Sequence, residues 1–146
     1  MLGCGRALWY YQVMKEEIPE IDQKDLVELA LIEGVARRLP KDDCVLRALG
    51  DLYTRVGRYE DGLAIDRRLV KLCPGDSMAW YNLGCSLALL GMRAPAMRAL
   101  RRAVALGYDD AEWMSRDVDL RSLREDRAFK TLLKKLSGEG ARKTED

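Results

Sequence analysis

Ser77-Met78-Ala79-Trp80-Tyr81-Asn82-Leu83-Gly84, continuing through Leu87 and Gly91 to Ala96, Leu100 and Ala103, reads as two helices joined by a short turn. Six of these positions have a counterpart 34 residues earlier. Trp80, Leu83, Gly84, Leu87, Gly91 and Ala96 correspond to Leu46, Leu49, Gly50, Tyr53, Gly57 and Gly62. Pro40 and Pro74 are separated by the same 34 residues. Self-similarity at a fixed period of this size marks a repeat architecture, in which a single unit cannot bury its apolar face alone. Gly84 has a packing role in this reading, because a residue without a side chain lets two helices approach closely. Pro95 stands near the start of the second helix of the pair, where a missing N–H costs nothing.

The preceding unit repeats the plan with departures. Asp42 or Asp43 caps its first helix, and Val45, Leu46, Leu49, Leu52, Tyr53 and Val56 form an apolar stripe. Gly57 ends that helix, since glycine tolerates the left-handed conformation many helix ends need. Leu63, Ile65, Leu69, Val70 and Leu72 carry the buried side of the second helix. Gly62 and Asp66 interrupt it, and looser packing is expected there. Upstream, Asp22 caps a helix with Leu26, Leu29, Ala30, Ile32, Val35, Ala36 and Leu39 at helical spacing, ended by Pro40. Before it, Ala7 to Glu17 is compatible with a short helix stopped at Pro19.

The motif resembles the tetratricopeptide repeat. The run after residue 111 resembles the terminal segment that closes bacterial arrays of this family: Asp117-Val118-Asp119-Leu120, then Leu123-Arg124-Glu125-Asp126, then Phe129 with Leu132 and Leu133. The resemblance implies an all-α fold, a superhelix of stacked antiparallel helix pairs. It divides the chain into an N-terminal segment (1–22), the second helix of a degenerate leading repeat (23–42), repeats at 43–76 and 77–110, capping helices at 111–137 and a disordered tail at 138–146. The last repeat of a solenoid exposes an apolar face. Trp113, Leu120, Leu123, Phe129, Leu132, Leu133 and Leu136 are expected to cover it.

Composition narrows the chemistry. Apolar residues make up 48% of the 146-residue chain and charged residues 34%, enough for a packed core. A net charge of +1 offers no overall attraction for nucleic acid or a membrane surface, so neither is expected as a partner. There is no histidine, which removes the commonest general base and metal ligand. Cys4, Cys44, Cys73 and Cys85 form no Cys-x-x-Cys pair and read as small buried thiols in a reducing compartment. Gly3-Cys4-Gly5 lacks the third glycine of a dinucleotide loop. Asp117-x-Asp119 lacks the rest of a calcium loop and reads as helix capping. Arg93, Arg98, Arg101 and Arg102 read as a solvated outer face. No catalytic, cofactor or metal site is expected, and the protein is read as a non-enzyme of the cytoplasm.

In the family, partner peptides lie along the first helices, on the concave face. Matching positions here are Arg47, Asp51, Thr54 and Arg55 in one repeat and Met78, Tyr81, Asn82, Cys85 and Leu89 in the next, with Glu112 and Arg116 continuing the row; all but Thr54 of the first two sets are the expected contacts. Some members grip a peptide's C-terminal carboxylate. Arg47, Asn82 and Arg116 occupy positions of that clamp, but Asp51 and Glu112 replace an asparagine and a lysine and would repel a carboxylate. The expected function is a protein-binding adaptor or scaffold. The alternatives are a homodimeric assembly factor and a substrate-holding chaperone of a bacterial export system.

Overall fold

The computed structural model describes residues 21–138, so the expectations for residues 1–20, Cys4 among them, and for 139–146 lie outside it. Seven α-helices and one 3₁₀ helix make up the described residues. They are α1 (Gln23–Arg38), α2 (Asp43–Arg55), α3 (Tyr59–Leu72), α4 (Ser77–Leu89), α5 (Arg93–Ala105), α6 (Ala111–Arg116), the 3₁₀ helix (Val118–Leu123) and α7 (Arg127–Leu136). Each of the first four packs on the next, and α2/α3 and α4/α5 are the two most extensively packed pairs. The result is an all-α superhelix.

Side-chain caps start most of these helices. Asp22 accepts from the Lys24 amide, Asp42 from Val45, Asp76 from Met78 and Ala79, Asp110 from Trp113, and Asp126 from Ala128. Each satisfies an N–H that the helix itself leaves without a partner. The turns after α2 and α4 close at Gly57 (φ 76°) and Gly91 (φ 71°), a region costly for a residue with a Cβ.

The core is nearly continuous. Leu29, Ala36, Leu46, Leu49, Leu52, Ile65 and Leu69 fill one end. Leu83, Leu87, Ala96, Leu100, Ala103, Met114, Leu120, Leu123 and Phe129 fill the other. Between α4 and α5 the fit is very close. A Cβ placed on Gly84 would lie 2.7 Å from Cδ2 and 2.8 Å from Cγ of Leu100. Trp80 braces the turn into α4, its indole N–H donating to the Pro74 carbonyl at 2.9 Å.

Several expectations need correction. Around Gly62 the packing is ordinary rather than loose, with a Cβ there meeting Thr54, Tyr53 and the Gly50 carbonyl at 3.5–3.7 Å, whereas Asp66, though buried, borders a cavity. Trp113 does not cover the end of the array. Met114 is buried there instead, because the short α6 turns that side inward and leaves Trp113 53% exposed. On α1 only Leu29 and Ala36 are buried, while Leu26, Ala30, Val35 and Leu39 face outward. Cys44 is exposed and Cys73 half-buried, leaving Cys85 as the buried thiol of the three.

Gly84→Ala is expected to lower stability by about 1–3 kcal/mol, because its methyl has no room beside Leu100. Gly84→Leu is expected to abolish cooperative folding. Gly50→Ala, whose methyl would meet nothing closer than 3.4 Å, should change stability by less than about 1 kcal/mol, since helix propensity offsets the crowding. Thermal melts followed by circular dichroism check all three.

Candidate functional site

α2 and α4 each present one face to a shared groove, which the terminal segment borders on another side. A cavity of 480 Å³ results. Arg47, Gly50, Asp51 and Thr54 come from α2. Met78, Tyr81, Asn82, Cys85 and Ser86 come from α4. Asp66 reaches in from α3, and Trp113, Asp117, Val118 and Asp119 come from the terminal segment.

The terminal segment is locked onto α4 by polar contacts as well as by its apolar residues. The Tyr81 hydroxyl donates to Asp117 Oδ2 at 2.6 Å, and the Cys85 thiol lies 3.7 Å from the same oxygen. Ser122 donates to the Ala88 carbonyl at 3.1 Å. The Tyr81 ring stacks on Tyr108, with centroids 4.3 Å apart and planes within 4°. Asp117 Oδ1 accepts from the Asp119 amide and caps the 3₁₀ helix. Arg124 ties the turn by donating to the carbonyls of Arg116 and Asp117. Burial in this cluster pushes the Tyr81 hydroxyl and the Cys85 thiol well above their ordinary ranges, so both stay protonated donors. Sγ of Cys85 and the carboxylates of Asp117 and Asp119 lie within 4.8 Å of one another. The Cys85 thiol and the Asp119 amide both bond the Asp117 carboxylate.

Asp66 is the chemically unusual residue. It is 6% exposed and accepts from the Ser86 hydroxyl at 2.5 Å. Gly50 leaves the opening above it: a Cβ there would lie 3.4 Å from Asp66 Oδ1. Burial pushes its carboxyl up to about 6, partly countered by the Ser86 bond. Asp119 is also raised, first by burial and then by the charges of Asp117 and Asp51.

The eight residues expected to contact a partner divide into three sets. Arg47, Asp51, Met78 and Asn82 line the cavity from its walls. Tyr81 and Cys85 also line it, but both are buried and hold the terminal segment in place, so their first role is structural. Arg55 and Leu89 lie outside the cavity lining. Arg55 turns to α1 and pairs with Asp25 and Glu28, each at 3.4 Å. Glu112 and Arg116 pair with each other at 3.2 Å and are displaced from the groove by Trp113, Asp117, Val118 and Asp119. The cause is the end of α6 at Arg116, after which the chain tightens into the 3₁₀ turn. Asp66 and Ser86 are not legible as a pair in the sequence. The available signal is a lone acid in the apolar stripe of α3. Among the described residues, Arg93, Arg98, Arg101 and Arg102 are exposed and without ion pairs, with Arg102 placed 6.0 Å from the Trp80 ring centroid.

Residues 45–84 match the tetratricopeptide repeat family. Together with the stacked helix pairs, this match supports a tetratricopeptide-repeat fold over that stretch. It is similar to a chloroplastic protein of Arabidopsis thaliana, with 32% identity over 85 residues. That stretch is 56% of this chain and 25% of the relative, so the chain spans about a quarter of the relative's length. Among the described residues no helix is long and apolar enough to cross a membrane.

The raised carboxyl of Asp66 sets a pH dependence. Its folded value of about 6 exceeds the ordinary 3.8, so between those values the folded state binds the proton more tightly. The contribution of Asp66 to stability is therefore greatest below about pH 4 and is lost as pH rises through about 6. Asp66→Asn keeps an acceptor for Ser86 and removes the buried charge. It should raise stability at pH 7 by up to about 3 kcal/mol, with the gain vanishing near pH 4. Urea unfolding at several pH values tests this, and a gain independent of pH would contradict it.

Proposed function

We propose that this protein is a non-catalytic interaction module of a reducing, cytoplasm-like compartment, which holds a segment of a partner protein in the groove between α2, α4 and the terminal segment. The observation that carries the reading is the exposure of large apolar side chains around a polar cavity. Met78, Trp113 and Val118 are 46%, 53% and 63% exposed at its edge. Apolar anchors around a concave surface are what a peptide or helix needs to gain affinity, and aromatic residues dominate such contacts. The groove's thiol and phenol are held protonated by burial, and the chain contains no histidine to act as a general base. An affinity near micromolar, about −8 kcal/mol, suits a single short groove that must also order its ligand.

The contact residues in this reading are Arg47, Asp51, Met78 and Asn82, joined by Trp113 and Val118. Tyr81 and Cys85 support the surface from beneath. A self-associating assembly factor and an export chaperone would use the same groove, differing in what fills it.

Affinity capture with the tagged chain tests the proposal. Met78→Ser/Trp113→Ala should weaken retention of a captured partner by about 2 kcal/mol or more, with helicity and melting temperature close to those of the parent. Equal retention by the double variant would refute the groove assignment. Recovery of the chain alone, as a concentration-dependent dimer, would favour the assembly-factor reading.

A further inference from the structure

The charges in the groove do not balance. Asp51, Asp66, Asp117 and Asp119 line the cavity, contributed by α2, α3 and the terminal segment. Arg47 is the single basic residue of that lining, and its guanidinium is already bound to Asp76 and lies 3.6 Å from Asp43. Asp51 is 3.6 Å from Arg55 on the outer side of α2. Asp66, Asp117 and Asp119 have no cationic partner among the described residues. Asp117 is satisfied by neutral donors: the Tyr81 hydroxyl, the Cys85 thiol and the Asp119 amide. Asp66 has only the Ser86 hydroxyl, which bonds Oδ2. After burial, the nearby charges of Asp117 and Asp51 raise the Asp119 carboxyl further, so the acids repel one another across the cavity.

Burying a carboxylate without a counter-charge is expensive, and the cost is relieved when a cation enters. The opening above Asp66 is kept clear by Gly50, and the exposed indole of Trp113 stands on the cavity lining. A guanidinium or ammonium gains on an aromatic face as well as beside a carboxylate. A long side chain with an apolar stem and a charged tip matches apolar walls around an acidic floor.

From this we infer that the groove selects a partner segment carrying an arginine or lysine, whose charged tip enters between Asp66 and Asp119 while an adjacent apolar residue rests on Met78 and Val118. The inference rests on the groove being the binding surface. It gives that surface a preference opposite to a clamp for carboxylate tails.

Fluorescein-labelled peptide pools of one length provide the test. All positions are degenerate except a central one, held as arginine, glutamate or norleucine, and binding is read by anisotropy. The arginine pool should bind about tenfold more tightly than the glutamate pool, and added salt should erode the difference. In Asp66→Asn/Asp119→Asn the preference should fall to near unity while the protein stays folded by circular dichroism. A preference that survives this double variant would overturn the assignment to these acids. Pools bound alike, with binding still lost in Met78→Ser/Trp113→Ala, would overturn the basic occupant and leave the groove in place. Absence of binding by every pool, or binding indifferent to Met78→Ser/Trp113→Ala, would overturn the groove itself.

Discussion

The absence of a side chain at Gly84 is the constraint on which the architecture depends. Leu100 occupies the space a side chain at position 84 would need, so α4 and α5 pack in close contact there. α4 then becomes the keel of the molecule. One side meets α5, another meets α3, and a third receives the 3₁₀ helix. Displacing α4 would separate Tyr81 from Asp117 and Ser122 from the Ala88 carbonyl, and the terminal segment would lose its seat. Packing at one residue therefore shapes the groove several turns away. Protein interiors transmit such a change because they are close-packed and have few voids to absorb it.

The groove combines two environments that rarely coexist without a purpose. Its edge is apolar and open to water, through Met78, Trp113 and Val118. Its floor is acidic and largely dry, through Asp66 and Asp117. The two buried carboxylates are held differently. Asp117 is enclosed by donors that join the terminal segment to α4, so it serves the fold. Asp66 is served by one hydroxyl and faces the space left by Gly50, so the fold gains little from its charge. Destabilising groups retained at a cavity are where function is sought first, since a ligand recovers the cost the fold bears.

Much of this organisation is legible in the residues. The recurrence of Leu46, Leu49 and Gly50 as Trp80, Leu83 and Gly84 locates both helix pairs, because a repeat imposes the same packing at the same spacing. The caps at Asp22, Asp42 and Asp126 follow from their position before apolar runs. The terminal segment reads with the right helices but the wrong phase. Trp113 takes the place of Met114 in that reading, since a helix as short as α6 has too few turns to define a face. For the same reason Glu112 and Arg116 fall on the groove that Asp117 and Asp119 occupy. Asp66 reads as a packing defect, because a single acid in an apolar stripe gives no sign of its hydroxyl partner on the next helix. Tyr81 and Cys85 do lie on the groove face. Their burial depends on a segment distant in sequence, which helix periodicity does not show.

The central claim is that a partner occupies the groove rather than the outer face. Site-specific photo-crosslinking in the native cell addresses it most directly, with a benzophenone amino acid placed at Val118 in one strain and at Arg98 in another. Both positions are exposed, one on the cavity lining and the other on α5. The account predicts a discrete crosslinked protein from position 118 and none from position 98. Crosslinking from position 98 alone would contradict it, and a crosslink from position 118 only to a second copy of this chain would replace the partner with self-association.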